Sequence, residues 1–139
     1  MAIRILAGAD ALADAAADEI VQQLPPAGEG GDVGLAGGST PQAVYRRLAE
    51  RRLSWNEVNA WMTDERHVPI NHPDSNAGMA RRVLFDHVPA TLHAVPWHEA
   101  AIEAAAAYER HLASFLRPGP AGLEPWLVVL GVGEDGHTA

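Results

Sequence analysis

Short apolar runs alternate with longer stretches of helical periodicity along this chain, and that alternation limits the fold more than any other feature. The apolar runs are Asp32–Ala36, the VNAWM core of Trp55–Thr63, Leu92–Val95 and Trp126–Leu130. Between them lie segments of ten or more residues with apolar positions three and four apart. Strands separated by such helices build βαβ units and a parallel sheet, since parallel neighbours need a crossover between them. The expected fold class is therefore α/β, a mainly parallel sheet with flanking helices. At 139 residues the chain is long enough to bury one core and too short for two, so residues 1–139 are read as one domain.

The segments themselves are legible. Arg4–Ala7 reads as a weak edge strand. Asp10–Leu24 reads as a helix with Leu12, Ala16, Ile20 and Leu24 in one buried row, flanked by Ala13, Ala17 and Val21. Pro25-Pro26 ends it. A second helix runs from about Pro41 to Arg51, with proline suited to its first position, Thr40 as its cap, and Val44, Tyr45 and Leu48 inward. Ser75 or Asn76 starts a third that reaches about Phe85. Glu99–Leu116 is a fourth, with Ile102, Ala105, Tyr108, Leu112 and Phe115 as its buried stripe. RPGPAGLEP reads as a loop before the last strand, Trp126–Leu130, whose unbroken apolar run predicts burial.

Composition narrows the function. The formal charge of −8 is spread along the chain and argues against nucleic-acid binding, which needs a basic footprint. The chain has no cysteine, so disulfides and thiol chemistry are excluded. Asp10, Asp14 and Asp18 interrupt any signal-peptide core, and no apolar run reaches the roughly 18 residues of a membrane span. A soluble cytoplasmic protein without membrane partners is expected. The seven histidines show no metal-ligand spacing, so no metal is assigned.

Three polar clusters fall at the carboxyl ends of predicted strands, where open α/β sheets bind ligands. The first is Gly37-Gly38-Ser39-Thr40-Pro41. Free helix-start amides, two glycines and two hydroxyls make it a phosphate cradle in form; it reads equally as an ordinary capped turn. It is not a P-loop, because the Gly-Lys-Ser/Thr ending is missing. The second is Asp64-Glu65-Arg66, whose Asp64 and Arg66 face the same way on an extended segment. Arg66 suits bidentate phosphate binding, although for this segment alone a bland surface ion pair is the favoured reading. The third is GVGEDGH, with Asp135, Gly136 and His137. Its G-x-G-x-x-G spacing lacks the opening βαβ context of a dinucleotide site and is a chance match. An imidazole ordinarily titrates near neutral pH, so His137 is the candidate general acid/base; the bland alternative is a loop histidine bonded to backbone.

Taken in order, LAGGSTPQAVYRRLAE, WNEVNAWMTDERHVPINHPDSNAGMARRVL and WLVVLGVGEDGHTA closely resemble the 6-phosphogluconolactonases. These belong to a superfamily that also holds glucosamine-6-phosphate deaminase and ribose-5-phosphate isomerase. The resemblance runs from about Leu6 to Ala139. Arg66, the His67-Val68-Pro69 and Asp74-Ser75-Asn76 segments, and Thr138 fit the lactonase pattern rather than the deaminase one. It implies a Rossmann-like fold of the phosphosugar isomerase/lactonase type and cofactor-free hydrolysis of 6-phospho-D-glucono-1,5-lactone, in the second step of the oxidative pentose phosphate pathway. By position it makes His137 the base that activates water, and Asp64 the group that orients substrate or histidine. Gly37, Gly38, Ser39, Thr40, Arg66 and Gly136 then hold phosphate and sugar. It also predicts an SLFPG-like continuation after Ala139, and further strands with a basic phosphate ligand, so the 1–139 span is expected to be an incomplete domain. The alternatives are a deaminase- or isomerase-like phosphosugar enzyme and an inactive phosphosugar-binding fragment.

Overall fold

The computed structural model describes residues 3–138; Ala139, the last residue of the GHTA ending and of the 1–139 span, lies outside them. Four helices, α1 (Ala9–Gln23), α2 (Ser39–Ala49), α3 (Asn76–Ala80) and α4 (Ala101–Leu112), alternate with strands β1 (Gly31–Leu35), β2 (Val58–Met62), β3 (Thr91–His93) and β6 (Leu127–Val128). A hairpin of β4 (Arg117–Gly119) and β5 (Gly122–Glu124) intervenes before β6. The four-stranded sheet has the order β3-β2-β1-β6, and every pairing in it is parallel. This is the α/β architecture that the alternation of segments predicts.

Strand β1 is the centre of the core. Asp32, Val33, Gly34 and Leu35 are all buried, as expected of a parallel strand covered on both faces. Beside it β2 alternates, with Val58, Ala60 and Met62 inward. Helix α2 lays Val44, Tyr45 and Leu48 on the core, and the Tyr45 hydroxyl donates to Ala36 O at 2.8 Å, tying the helix to the end of β1.

Helix α1 is turned slightly from the expected face. Ala13, Ala17 and Ile20 are its buried residues, whereas Leu12 is 38 % exposed. The reason lies on the neighbouring helix. Arg47 and Arg51 of α2 meet a row of aspartates on α1, with Arg51 Nε 2.8 Å from Asp18 and Arg51 Nη2 3.2 Å from Asp14. Keeping Asp10, Asp14 and Asp18 at that rim brings the small alanines, not Leu12, into the helix contact.

Several other expectations are corrected. Arg4–Ala7 forms no strand, and Ile5 is almost wholly exposed. RPGPAGLEP folds as the β4–β5 hairpin, in which Pro118 sits on an exposed edge that needs no ladder amide. The Asn76–Phe85 helix breaks after Ala80 into a π-turn, Arg81–Phe85. In α4, Ala104 and Tyr108 are buried and Ile102 is 77 % exposed. The last strand is shorter than its apolar run and only half-buried, because β6 is an edge strand with β1 alone beside it.

Candidate active site

In chain order the strands run outward from β1 to β2 and β3, then return to place β6 on the other side of β1. The strand order therefore reverses between β1 and β6, and the carboxyl ends there form the crevice in which doubly wound sheets bind ligands. Because all four strands are parallel, the segments after β1, β2 and β6 leave the same edge. Those segments are Gly37–Thr40, Asp64–Arg66 and Gly131–His137.

After β1 the chain passes through Gly37 and Gly38 directly into α2. A Cβ on Gly37 would overlap the Asn76 side chain, and Gly38 has φ 111°, so both positions require glycine. Thr40 is not the cap that the sequence suggests. Gly38 occupies the cap position and no side chain closes it. Gln42 N donates to Gly38 O at 3.1 Å and Pro41 has no amide proton, so among the described residues the Ser39 and Thr40 amides are left without partners. The positive end of the α2 dipole sits behind them.

After β2, Thr63 is held to the β1 end by its amide and its hydroxyl, which donate to Leu35 O at 3.0 and 3.1 Å. Asp64 accepts from Asn76 Nδ2 at 3.1 Å. Glu65 gathers the next turn: its carboxylate accepts from Ser75 Oγ at 3.0 Å, Asn76 N at 2.6 Å, Ala77 N at 2.9 Å and Arg66 N at 2.8 Å. Ser75 caps α3 by accepting from Gly78 N at 2.9 Å. Two organising residues were not legible from local spacing. Glu65 holds the start of α3 from some ten residues upstream, and Asn76, 5 % exposed, couples Gly37 to Asp64. The only local signal was the Asp-Ser-Asn helix start.

Two hollows flank Arg66. One, about 320 Å³, is lined by Gly38, Ser39, Gln42, Arg66, Asn76 and Arg82, among others, and brings the α2 start together with the DER segment. The other, about 230 Å³, is walled by Val95, Trp97 and Tyr108 and by the 63–68 segment. In it Tyr108 Oη accepts from Met62 N at 2.8 Å and lies within donor reach of Met62 O and His93 O. Burial pushes the Tyr108 phenol up to about 12, so it stays protonated.

The third loop is a tight turn after β6. Gly136 N donates to Gly133 O at 2.9 Å, and Gly133 N donates to His137 O at 2.8 Å. His137 lies exposed on it, with Nδ1 hydrogen-bonded to Asp135 Oδ1 and its backbone N donating to the same oxygen at 3.2 Å. The hydrogen bond from the His137 ring, then those from the backbone, hold the Asp135 carboxyl below the usual carboxylate range. An ionised Asp135 on Nδ1 selects the tautomer whose Nε2 is free to take a proton. Asp64 was the expected partner of substrate or histidine; among the described residues no hydrogen bond joins it to His137, and its carboxylate accepts from Asn76 Nδ2 and Thr63 Oγ1. The structure thus brings Gly38, Ser39 and Arg66 to one cleft and leaves His137 on a separate loop of the same sheet edge.

A family model described as glucosamine-6-phosphate isomerases/6-phosphogluconolactonase matches residues 7–139. The chain is 44 % identical over 114 residues to a 6-phosphogluconolactonase of Nostoc, covering 77 % of this chain and 47 % of that protein. With the Rhizobium meliloti 6-phosphogluconolactonase the identity is 39 %, over 99 % of this chain and 59 % of the other. The chain spans about half the length of the curated relatives it matches. Among solved structures, the Trypanosoma brucei 6-phosphogluconolactonase superposes with TM-score 0.80 at 33 % identity, over 98 % of this chain and 61 % of that one. A monomeric glucosamine-6-phosphate deaminase reaches TM-score 0.81 at 20 % identity, a likeness of fold alone. The chain belongs to the glucosamine-6-phosphate isomerase/6-phosphogluconolactonase family.

Proposed function

We propose that this chain carries a phosphosugar-lactone site and takes part in the hydrolysis of 6-phospho-D-glucono-1,5-lactone to 6-phospho-D-gluconate. The observation that carries this reading is the presence, along one sheet edge and beside the strand-order reversal, of an anion-suited helix start, Arg66 and a histidine whose Nε2 has no partner among the described residues. The relatives named above are 6-phosphogluconolactonases, which supports the lactone over an amino sugar.

Water gives a proton to His137 Nε2 as its oxygen attacks the lactone carbonyl carbon. The tetrahedral intermediate then breaks the bond from that carbon to the ring oxygen, and the imidazolium returns the proton to the departing oxygen. Asp135 holds the ring in the required tautomer throughout. Asp64, fixed by Asn76, orients the sugar, while Gly37, Gly38, Ser39, Thr40 and Arg66 anchor the phosphate and Gly136 lets the loop approach. A lactone is already an activated ester, so one oriented base and a held phosphate are enough chemistry.

The test follows acid release from freshly made 6-phosphogluconolactone. Catalysed release is expected, and His137→Ala should lower it by about 10²- to 10⁴-fold, the usual contribution of a positioned base. Release at the spontaneous rate, or an unaltered rate in His137→Ala, overturns the reading.

A further inference from the structure

Arg82 was not among the residues that the sequence pointed to, yet it lines the same cleft as Ser39 and Arg66. It belongs to the π-turn after α3, where Asp86 N donates to Arg81 O at 2.9 Å, five residues back. Such widened turns re-aim side chains and recur at functional sites. Gly78 lies four residues earlier, and a Cβ there would stand 3.3 Å from Arg82 Nη1. The guanidinium has therefore folded back along α3 over the space that glycine leaves, towards the Ser75 end and the cleft. Ile70 O also crowds that Cβ position, so Gly78 serves the 66–75 loop as well.

Neither Arg66 nor Arg82 forms an ion pair among the described residues, in contrast to Arg47 and Arg51, which are both bound to aspartates. One carboxylate shares the cleft, Asp74, and it lies 3.8 Å from His72 Nδ1. Two guanidinium groups against one carboxylate make a locally positive hollow on a chain of net charge −8. A phosphate monoester carries about −1.5 to −2 charges near neutral pH. One arginine leaves that charge half compensated; two planar forks approaching from different elements match it.

We propose that Arg82 is a specificity-determining residue: with Arg66 it forms a two-guanidinium clamp that makes the cleft select dianionic phosphate monoesters over uncharged sugars. This rests on the phosphosugar reading of the cleft but not on the role of His137.

The experiment titrates inorganic phosphate and 6-phosphogluconate into the full chain and its Arg82→Gln and Arg82→Lys variants, with binding followed by NMR shifts of the Gly38 and Ser39 amides. The same proteins are assayed on 6-phosphogluconolactone and on unphosphorylated gluconolactone. Arg82→Gln is expected to weaken both anions about tenfold and to raise KM for the phosphorylated lactone with kcat changed less than about twofold. Arg82→Lys should recover part of the loss, and gluconolactone turnover should not move. Anion binding equal to wild type in Arg82→Gln, or no anion binding by the wild type, overturns the clamp. Anion binding that depends on Arg82 without any lactone hydrolysis supports the clamp and overturns the lactonase reading alone.

Discussion

Glu65 organises the turn that carries the DER segment. Its carboxylate receives two backbone amides at the start of α3, the Ser75 hydroxyl and the Arg66 amide. Through Asn76 the same knot holds Asp64 and seats against Gly37. Hydrogen bonds to a charged acceptor are worth about 1.5–3 kcal/mol each, and orphaned donors cost more than exchanged ones. Glu65→Ala should therefore destabilise the fold by about 2–4 kcal/mol, lowering the thermal midpoint by roughly 6–15 °C. Calorimetry of the two proteins checks this. A midpoint within about 2 °C of wild type would show that water replaces the carboxylate. In the sequence, Asp64 and Arg66 were visible as chemistry because their residue types announce it. Glu65 and Asn76 were not, since their partners come from across a ten-residue loop whose path no local pattern specifies.

At the scale of elements, the docking of α4 on β3 carries a titratable contact. His93 on β3 places Nδ1 2.8 Å from His111 Nε2 on α4 and Nε2 2.9 Å from Asn59 Oδ1 on β2, with its ring stacked on Phe115 at 4.1 Å. Burial first, then the charge of His111, holds the His93 pKa below its ordinary value. The unfolded chain thus binds more protons here than the folded one as pH falls through about 6.5, and stability rises with pH across that window. Denaturant midpoints should drop between pH 7.5 and pH 5, and the drop should shrink in His93→Gln. An equal drop in both proteins would place the acid sensitivity elsewhere. The third helix also shows where a local reading reaches its limit. A start at Ser75 or Asn76 predicted one continuous helix to about Phe85, but Asp86 closes a wider turn and the helix opens after Ala80.

For the whole molecule, the third loop depends on how the last strand is attached. Buried Asp32 in β1 accepts from Trp61 Nε1 at 3.0 Å and from Trp126 N at 3.2 Å, and Trp126 Nε1 donates to Gln23 O at 2.8 Å. Val129 N then reaches Gly34 O at 2.8 Å. His137 follows β6, so its position is inherited from this anchor. Asp32→Ala orphans two donors and should cost about 2–4 kcal/mol. Amide exchange at Val129 should accelerate more than at Leu48, and the proposed lactone hydrolysis should fall further than the loss of folded protein explains. Uniform acceleration of both amides would mean that β6 has no independent role. The sequence by itself determined the α/β class, the four parallel strands in outline, and which residue types could bind an anion or move a proton. Periodicity and side-chain chemistry are local properties, so they survive in a one-dimensional reading. The tertiary structure alone decided that β6 lies at an edge beside β1, that Asn76 couples Gly37 to Asp64, and that Arg82 shares a cleft with Arg66. Each of these depends on distances between segments far apart in the chain, set by strand order and helix packing and by no single stretch of residues.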